Sequence, residues 1–337
     1  MGEHDPRSTD PREPRLALSI VIPVYNGANS VPVLIAALQD LSIVGGHEIV
    51  LVNDGSADNS LTVCQEIIRK ARVPITLLNL ARNYGEHNAV ITGLRYASGE
   101  HIITMDDDLQ NPPEEVQRLL TFAQRGGNQV VYTRFDEKNH AAWRNAASRF
   151  TNCVADFVLD KPPGLYLSSF RCMTAFVARE ITRYEGPFPY VDGLILQVTN
   201  DIGQLLVRHL PRASGTSNYT MRRLLRLWMN MFVNFSVMPL RISTLTGFAL
   251  SGLGAVGVAI AVGEALLSSP PPGWASLMAA VLLLSGVQLL ILGIVGEYLG
   301  RLYLTANRKP QSVIKEVCRS EPRQSPESTL VRLGERS

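Results

Sequence analysis

Paired cysteines are missing from this chain. Its four cysteines, Cys64, Cys153, Cys172 and Cys318, stand far apart with no C-x-x-C spacing. That excludes a disulfide framework and a thiolate zinc site, and leaves buried free thiols in a reducing compartment. A large net charge is missing too: the formal value is +2, so no basic field is available for nucleic acid. Charged residues make up only 18% of the 337, low for a wholly soluble protein. Residues 1–15 hold no apolar run and read as a disordered polar tail without an export signal, which keeps the domain that follows in the cytoplasm. Neither G-x-G-x-x-G nor G-x-x-x-x-G-K-[ST] occurs, which argues against a dinucleotide site and a P-loop.

Apolar residues are abundant, at 46%, and concentrate after residue 240. Before that point, β-rich runs at 18–23, 48–52, 75–80, 101–105 and 129–132 alternate with helix-like segments at 30–41, 58–69 and 88–97 and another opening at Pro112. Such alternation with short connections predicts an α/β domain on a parallel, doubly wound sheet. Ligands of such sheets bind beyond the carboxyl ends of the strands. Polar clusters fall at those ends: Tyr25 and Asn26 after the first strand, Asp54 after the second, and Asp106, Asp107 and Asp108 after the fourth.

Two long apolar runs follow, 242–267 and 275–296, each long enough to cross a bilayer core as a helix, which takes roughly 20 residues. The intervening 268–274 loop has no lysine or arginine, whereas Arg222, Arg223, Arg226 and Arg241 precede the first run and Arg301, Arg308 and Lys309 follow the second. The positive-inside rule then places both flanks in the cytoplasm and the loop outside. Residues 216–241 mix those arginines with Leu224, Leu225, Trp228 and Phe232, a composition suited to interfacial amphipathic helices or to a core helix of the soluble domain. The expected division is a tail at 1–15, a catalytic domain at 16–215, interfacial helices at 216–241, membrane spans at 242–267 and 275–296, and a polar, partly helical cytoplasmic tail at 297–337.

Three adjacent carboxylates oppose one another's ionisation, and a divalent cation resolves the conflict. Asp106 and Asp108 form a D-x-D pair with Gln110 as a third oxygen donor, hard ligands that suit Mg2+ or Mn2+. A solvated acidic turn that caps the next helix through Asn111 is the competing reading.

Four motifs, Val21-Ile22-Pro23-Val24-Tyr25-Asn26, Val52-Asn53-Asp54-Gly55-Ser56, Arg82-Asn83-Tyr84-Gly85 and Asp106-Asp107-Asp108-Leu109-Gln110-Asn111-Pro112-Pro113-Glu114, occur in order, with Gly296-Glu297-Tyr298-Leu299-Gly300-Arg301 after the second apolar run. Together they resemble glycosyltransferase family two, within it the polyprenyl-phosphate branch that includes dolichyl-phosphate mannose synthase and the undecaprenyl-phosphate glucosyl and aminoarabinose transferases. The resemblance implies a GT-A fold with a mixed sheet and a metal-dependent, inverting transfer. One sugar would pass from a nucleoside-diphosphate donor, expected to be a UDP-sugar, to a polyprenyl (undecaprenyl) phosphate at the cytoplasmic face of the inner membrane. It implies that Pro23 and Tyr25 line the nucleobase pocket and that Asp54 bonds the base or ribose. Asp106, Asp108 and Gln110 would hold Mg2+ or Mn2+. Arg134 and Arg144 would receive the acceptor and donor phosphates, and Arg212 would sit on a loop closing over the site. Self-association into a homo-oligomer is left open.

The chain departs from the family pattern at Gly27, where many members carry glutamate, at Asn218, where many carry lysine, and at Ser168-Ser169-Phe170-Arg171, where several carry an aspartate. Asp192 is expected to cap a helix, with a role in the site as the alternative. A processive polysaccharide synthase would need a Gln-x-x-Arg-Trp motif and further spans, both lacking here; a silent membrane scaffold would have no use for clustered carboxylates.

Overall fold

A computed structural model describes residues 16–135, 164–186, 188–208, 210, 238–267, 273–307 and 309–320. Arg144, Arg212, Asn218, Cys153, the 1–15 tail and most of 216–241 lie outside them. The first unit is built on strands β1 (Leu18–Val24), β2 (His47–Asn53), β3 (Ile75–Leu80), β4 (His101–Thr104), β5 (Val130–Phe135), β6 (Arg171–Thr174), β7 (Ile202–Val207) and β8 (Ile314–Arg319). They form one sheet in the order β7-β5-β6-β4-β1-β2-β3-β8. β1 pairs in parallel with β2 and β4, β2 with β3, and β5 with β7, while β6 and β8 run antiparallel to their neighbours. The sheet is therefore mixed, and the purely parallel architecture read from the strand–helix alternation is corrected by those two strands.

β2 is buried at every position and β1 at all but Pro23, as expected of central strands covered on both faces. The helices of this unit are α1 (Val31–Gln39), α2 (Ser60–Arg69), α3 (Glu86–Leu94), α4 (Pro113–Gly126), α5 (Ala175–Thr182) and α6 (Val191–Val198). On one side, Leu34, Ile35, Cys64, Val116 and Leu119 pack into the core formed by Leu18, Ile20 and Ile22. On the other, α3 lies so close to β1 and β2 that a Cβ on Gly93 would overlap Val21 and stand 3.0 Å from Val52.

α4 shows how local chemistry fixes an element. Pro113 takes the first helical position, Glu114 and Glu115 the first turn, Arg125 the last, and Gly127 ends the helix at φ 67°, each matching the orphan groups and dipole of its terminus. Its buried stripe is Val116, Leu119, Leu120 and Ala123; each such leucine contributes roughly 1.5–3 kcal/mol. The cap is Pro112, without a side-chain bond, so Asn111 does not cap the helix as the competing reading had it.

Residues 314–319, read from sequence as part of a polar tail, instead close the sheet as β8 beside β3, from Thr76 against Arg319 to Leu80 against Ile314.

The second unit holds two long helices, α7 (Met238–Leu267) and α8 (Trp274–Ala306). At about 1.5 Å per residue, each is longer than a hydrocarbon core is thick. Among the described residues one segment, Leu284–Ala306, is long and apolar enough to cross a membrane, with a mean hydropathy of 1.4.

Candidate functional site at the strand ends

β1 is flanked by β4 on one side and β2 on the other. The connections therefore reverse direction beside β1, the topological switch point where open α/β sheets bind ligands. Tyr25 follows β1, and Asp106, Asp107 and Asp108 follow β4, so both motifs meet at that crevice.

The loops around it are tied together by side chains. Asn26, at φ 57°, accepts the Ala57 amide through Oδ1 at 2.9 Å, and its own amide donates to Ser56 Oγ at 3.1 Å. Ser56 Oγ donates to Asn53 Oδ1 at 2.6 Å, and Asn53 Nδ2 to Asn79 Oδ1 at 2.9 Å. Gly55, at φ 61°, has no room for a side chain: a Cβ there would overlap the backbone of Arg82 and Asn83. This close approach is why glycine follows Asp54.

Asp54 is 3% exposed. Its Oδ1 accepts the Tyr84 amide at 2.7 Å and its Oδ2 the Gly85 amide at 2.9 Å. Burial raises its pKa, and the two amides oppose the rise. The carboxylate assigned by resemblance to base or ribose thus fastens the β3–α3 loop, and Arg82 from that loop stacks 4.8 Å over the Tyr84 ring. Asp54→Ala leaves two part-buried amides without their acceptor and should lower stability by about 2 kcal/mol, with Asp54→Asn losing about half as much; urea denaturation measures both.

The acidic turn concentrates negative charge, with the Arg171 guanidinium opposing it at Asp106. Burial, then the charge of Glu86, pushes Asp106 up to about 6, against the opposing bond from Ser169. Ser169 Oγ donates to Asp106 Oδ2 at 2.6 Å. Burial, then Asp106 and Asp108, pushes Asp107 up to about 7. Asp107 Oδ2 and Asn111 Oδ1 are buried without a hydrogen-bond partner. Asp108 Oδ1 accepts the Gln110 amide at 3.1 Å, and Leu109 between them sits at φ 64°, a region a leucine seldom adopts. The Gln110 side chain points to the Leu210 carbonyl, 3.5 Å away, rather than standing free.

Among the described residues no three His, Cys, Asp or Glu side chains form a metal cage. The donor set is nevertheless one that a hard cation fits: Asp106 and Asp108 offer carboxylate oxygens, and the remaining positions suit water and phosphate oxygens.

A second buried cluster backs the first. Arg171 pairs with Asp192 through Nη1 and Oδ1, and its Nε donates to Thr104 Oγ1 at 3.3 Å. Tyr132 Oη donates to the same Asp192 oxygen at 2.8 Å. Burial alone would lower Arg171, but the Asp192 charge overrides it and holds the guanidinium above its ordinary value. Asp192 is the second residue of α6, whose cap is Tyr190, so the expected cap role is corrected to a buried ion pair. His87 packs edge-on to Tyr190 at 5.0 Å, and burial pushes it down to about 4, neutral at physiological pH.

Of the residues predicted from sequence, the fold brings Pro23, Tyr25, Asp54, Asp106, Asp108 and Gln110 to the strand ends on this side. Arg134 is exposed near the end of β5, paired in register with Leu206. Arg144 and Arg212 lie outside the described residues. Sequence reasoning missed Glu86, His87 and Ser169. The family's absent aspartate at 168–171 was the one hint that a hydroxyl there touches the acidic turn.

The family models and the sequence relatives converge on one group. Residues 19–180 match the model for Glycosyl transferase family 2, and residues 238–302 the model for the GtrB C-terminal hairpin. The undecaprenyl-phosphate 4-deoxy-4-formamido-L-arabinose transferase of Pseudomonas savastanoi pv. phaseolicola is 33% identical over 317 residues, covering 90% of this chain and 91% of that one. Its counterpart in Pseudomonas paraeruginosa is 34% identical over 329 residues, covering 94% of each. Among solved structures, glucosyl-3-phosphoglycerate synthase from Mycobacterium tuberculosis overlays with a TM-score of 0.48 at 18% identity, over 65% of this chain and 78% of that one.

Proposed function

We propose that this chain, which belongs to glycosyl transferase family 2 and to its undecaprenyl-phosphate sugar transferases, moves one sugar from a nucleoside diphosphate to a polyprenyl monophosphate. The observation that carries the proposal is the acidic turn at the switch point, where three adjacent carboxylates follow β4 and where burial, with neighbouring negative charge, pushes Asp106 up to about 6 and Asp107 up to about 7. Asp106 and Asp108, with Gln110 as a third oxygen donor, would hold a divalent cation, Mg2+ or Mn2+, which would supply positive charge to screen a departing diphosphate.

The chain's own residues then have distinct tasks. The Tyr25 ring, 45% exposed, offers the nucleobase a stacking face beside Pro23. Asp54 keeps the loop of Tyr84 in place. Arg134 is exposed at the end of β5, suited to meet a phosphate through a guanidinium's paired donors; Arg144 is assigned the same work, and Arg212 a loop that closes over the site. The acceptor phosphate carries about −1.5 to −2 charge near neutrality, so no strong general base is required and positioning carries the reaction. A UDP-sugar is the donor we favour.

Membrane topology is supported by the return of the chain to its own sheet. β1 to β7 precede the long helices and β8 follows them, all in one sheet. A chain that leaves a sheet and rejoins it crosses any membrane an even number of times. If α8, which contains the apolar Leu284–Ala306 segment, supplies one span, α7 supplies the other. We therefore assign spans at 242–267 and 275–296, interfacial helices at 216–241, a catalytic domain at 16–215 completed by β8, and both termini on the cytoplasmic side of the inner membrane.

A panel of UDP-, GDP- and dTDP-sugars with undecaprenyl phosphate and Mn2+ tests the proposal. One donor should give a glycosyl-phosphoryl lipid by mass spectrometry. Donor binding without any lipid product would overturn the acceptor assignment.

A further inference from the structure

The middle aspartate of the acidic turn belongs to neither the metal pair nor the helix cap, yet it is the residue that reaches across to β1. Its carboxylate lies near enough to the Tyr25 amide for that amide to favour the ionised form. Its Oδ2 occupies the space a side chain at Gly27 would need: a Cβ on Gly27 would overlap Asp107 Oδ2 and stand 3.1 Å from Asp107 Cγ. Gly27 is itself buried, and its carbonyl starts α1 by accepting the Val31 amide at 3.0 Å. It has no positive φ, so the glycine is explained by Asp107 and not by backbone conformation.

We propose that Asp107 is a positioning residue for the donor, a peg that fills the empty side-chain space of Gly27 and fixes the Tyr25 backbone. Tyr25 is exposed, and the Asn26 that follows it is clamped to the β2–α2 loop at Ala57. The peg on one side and the clamp on the other hold the β1–α1 loop, and with it the ring offered to the nucleobase. Glycine at 27 and aspartate at 107 are thus coupled, the one leaving the space that the other's carboxylate fills. The inference rests on the reading of the crevice as a nucleotide-sugar site, and deepens it by naming what sets the base-binding loop.

The test separates a peg from a metal ligand. Asp107→Ala should raise the donor KM about tenfold, the worth of one ordinary hydrogen bond, with the Mn2+ requirement unchanged. Asp107→Asn keeps an acceptor oxygen and the shape, and should stay within about threefold of wild type. Gly27→Ala should raise donor KM and lower the melting temperature by displacing the carboxylate. Gly27→Ala combined with Asp107→Ala should be no worse in donor KM than Asp107→Ala alone and should melt above Gly27→Ala. Additive effects of the two substitutions, or a raised Mn2+ requirement in Asp107→Asn, would overturn the peg. The wild type run alongside keeps the two claims apart. Transfer with normal donor KM in Asp107→Ala sinks this inference only. A wild type that neither transfers nor binds UDP in calorimetry sinks the proposed function and the donor role together, while the melting temperatures still decide whether Asp107 and Gly27 are coupled.

Discussion

Asp108→Ala is expected to reduce transfer by on the order of 10^3-fold or more while leaving the protein folded and, without metal, at least as stable as wild type. The loss follows from charge. A diphosphate departs only if its developing negative charge is met, and removing one preorganised partner of such charge typically costs about 10^2–10^3 in turnover; removing a ligand of the cation removes more than one interaction. The stability expectation has the opposite sign for the same reason. The Asp108 charge raises both Asp106 and Asp107, so its removal relieves both. Within the turn its Oδ1 accepts the Gln110 amide at 3.1 Å, a local bond whose loss is small beside that relief. Turnover by mass detection and thermal melting on the same preparation check both halves. An active Asp108→Ala enzyme would remove the metal assignment, and an inactive, unfolded one would leave the loss without a chemical cause.

The second large effect is a pH-dependent exchange of protons for metal. Asp106 and Asp107 stand at about 6 and about 7 in the folded chain, above the ordinary carboxylate value of about 4. A raised carboxylate favours folding in its protonated form. The stability these two contribute is therefore fully present below about pH 4 and lost as the pH climbs through about 6 and 7. A bound cation reverses the balance, because it takes the ionised form. Mn2+ affinity, read from the free-ion paramagnetic resonance signal without nucleotide, should fall about tenfold per pH unit below about 6, one proton being displaced at Asp106. Asp107→Asn should keep that dependence, since its carboxylate is assigned no metal, and Asp106→Asn should abolish it. Binding that stays constant from pH 5 to 8 would contradict the assignment of Asp106.

The parts of this fold that local pattern dictates were legible before any coordinates. Continuous apolar runs bounded by polar clusters marked β1 to β5, and placing the acidic triplet directly after a strand located the crevice. Prolines and glutamates at 112–115 announced the start of α4. What escaped was long-range. β8 lies beyond both apolar runs, and its Lys315, Glu316 and Arg319 read as tail chemistry; only pairing with β3, more than 230 residues earlier, makes it a strand. β6 is four residues long and carries Arg171, whose burial makes sense only once Asp192 is known to face it. The same limit applied at the site. Family pattern pointed Asp54 at the nucleotide, whereas the fold gives both its oxygens to the amides of Tyr84 and Gly85. No local pattern announced that the Gln110 amide group meets the Leu210 carbonyl, 100 residues away. Ser169 reaches Asp106 across 63 residues, a contact no motif spacing encodes.

The most direct test of the account is the mass of the lipid after exhaustive incubation of undecaprenyl phosphate with purified protein, excess donor and Mn2+. A single sugar increment per lipid, with one nucleoside diphosphate released for each and none of either once the metal is chelated, is the predicted result. A ladder of increments would make the chain a polymerase, and an unchanged lipid with every donor would contradict transfer to polyprenyl phosphate altogether.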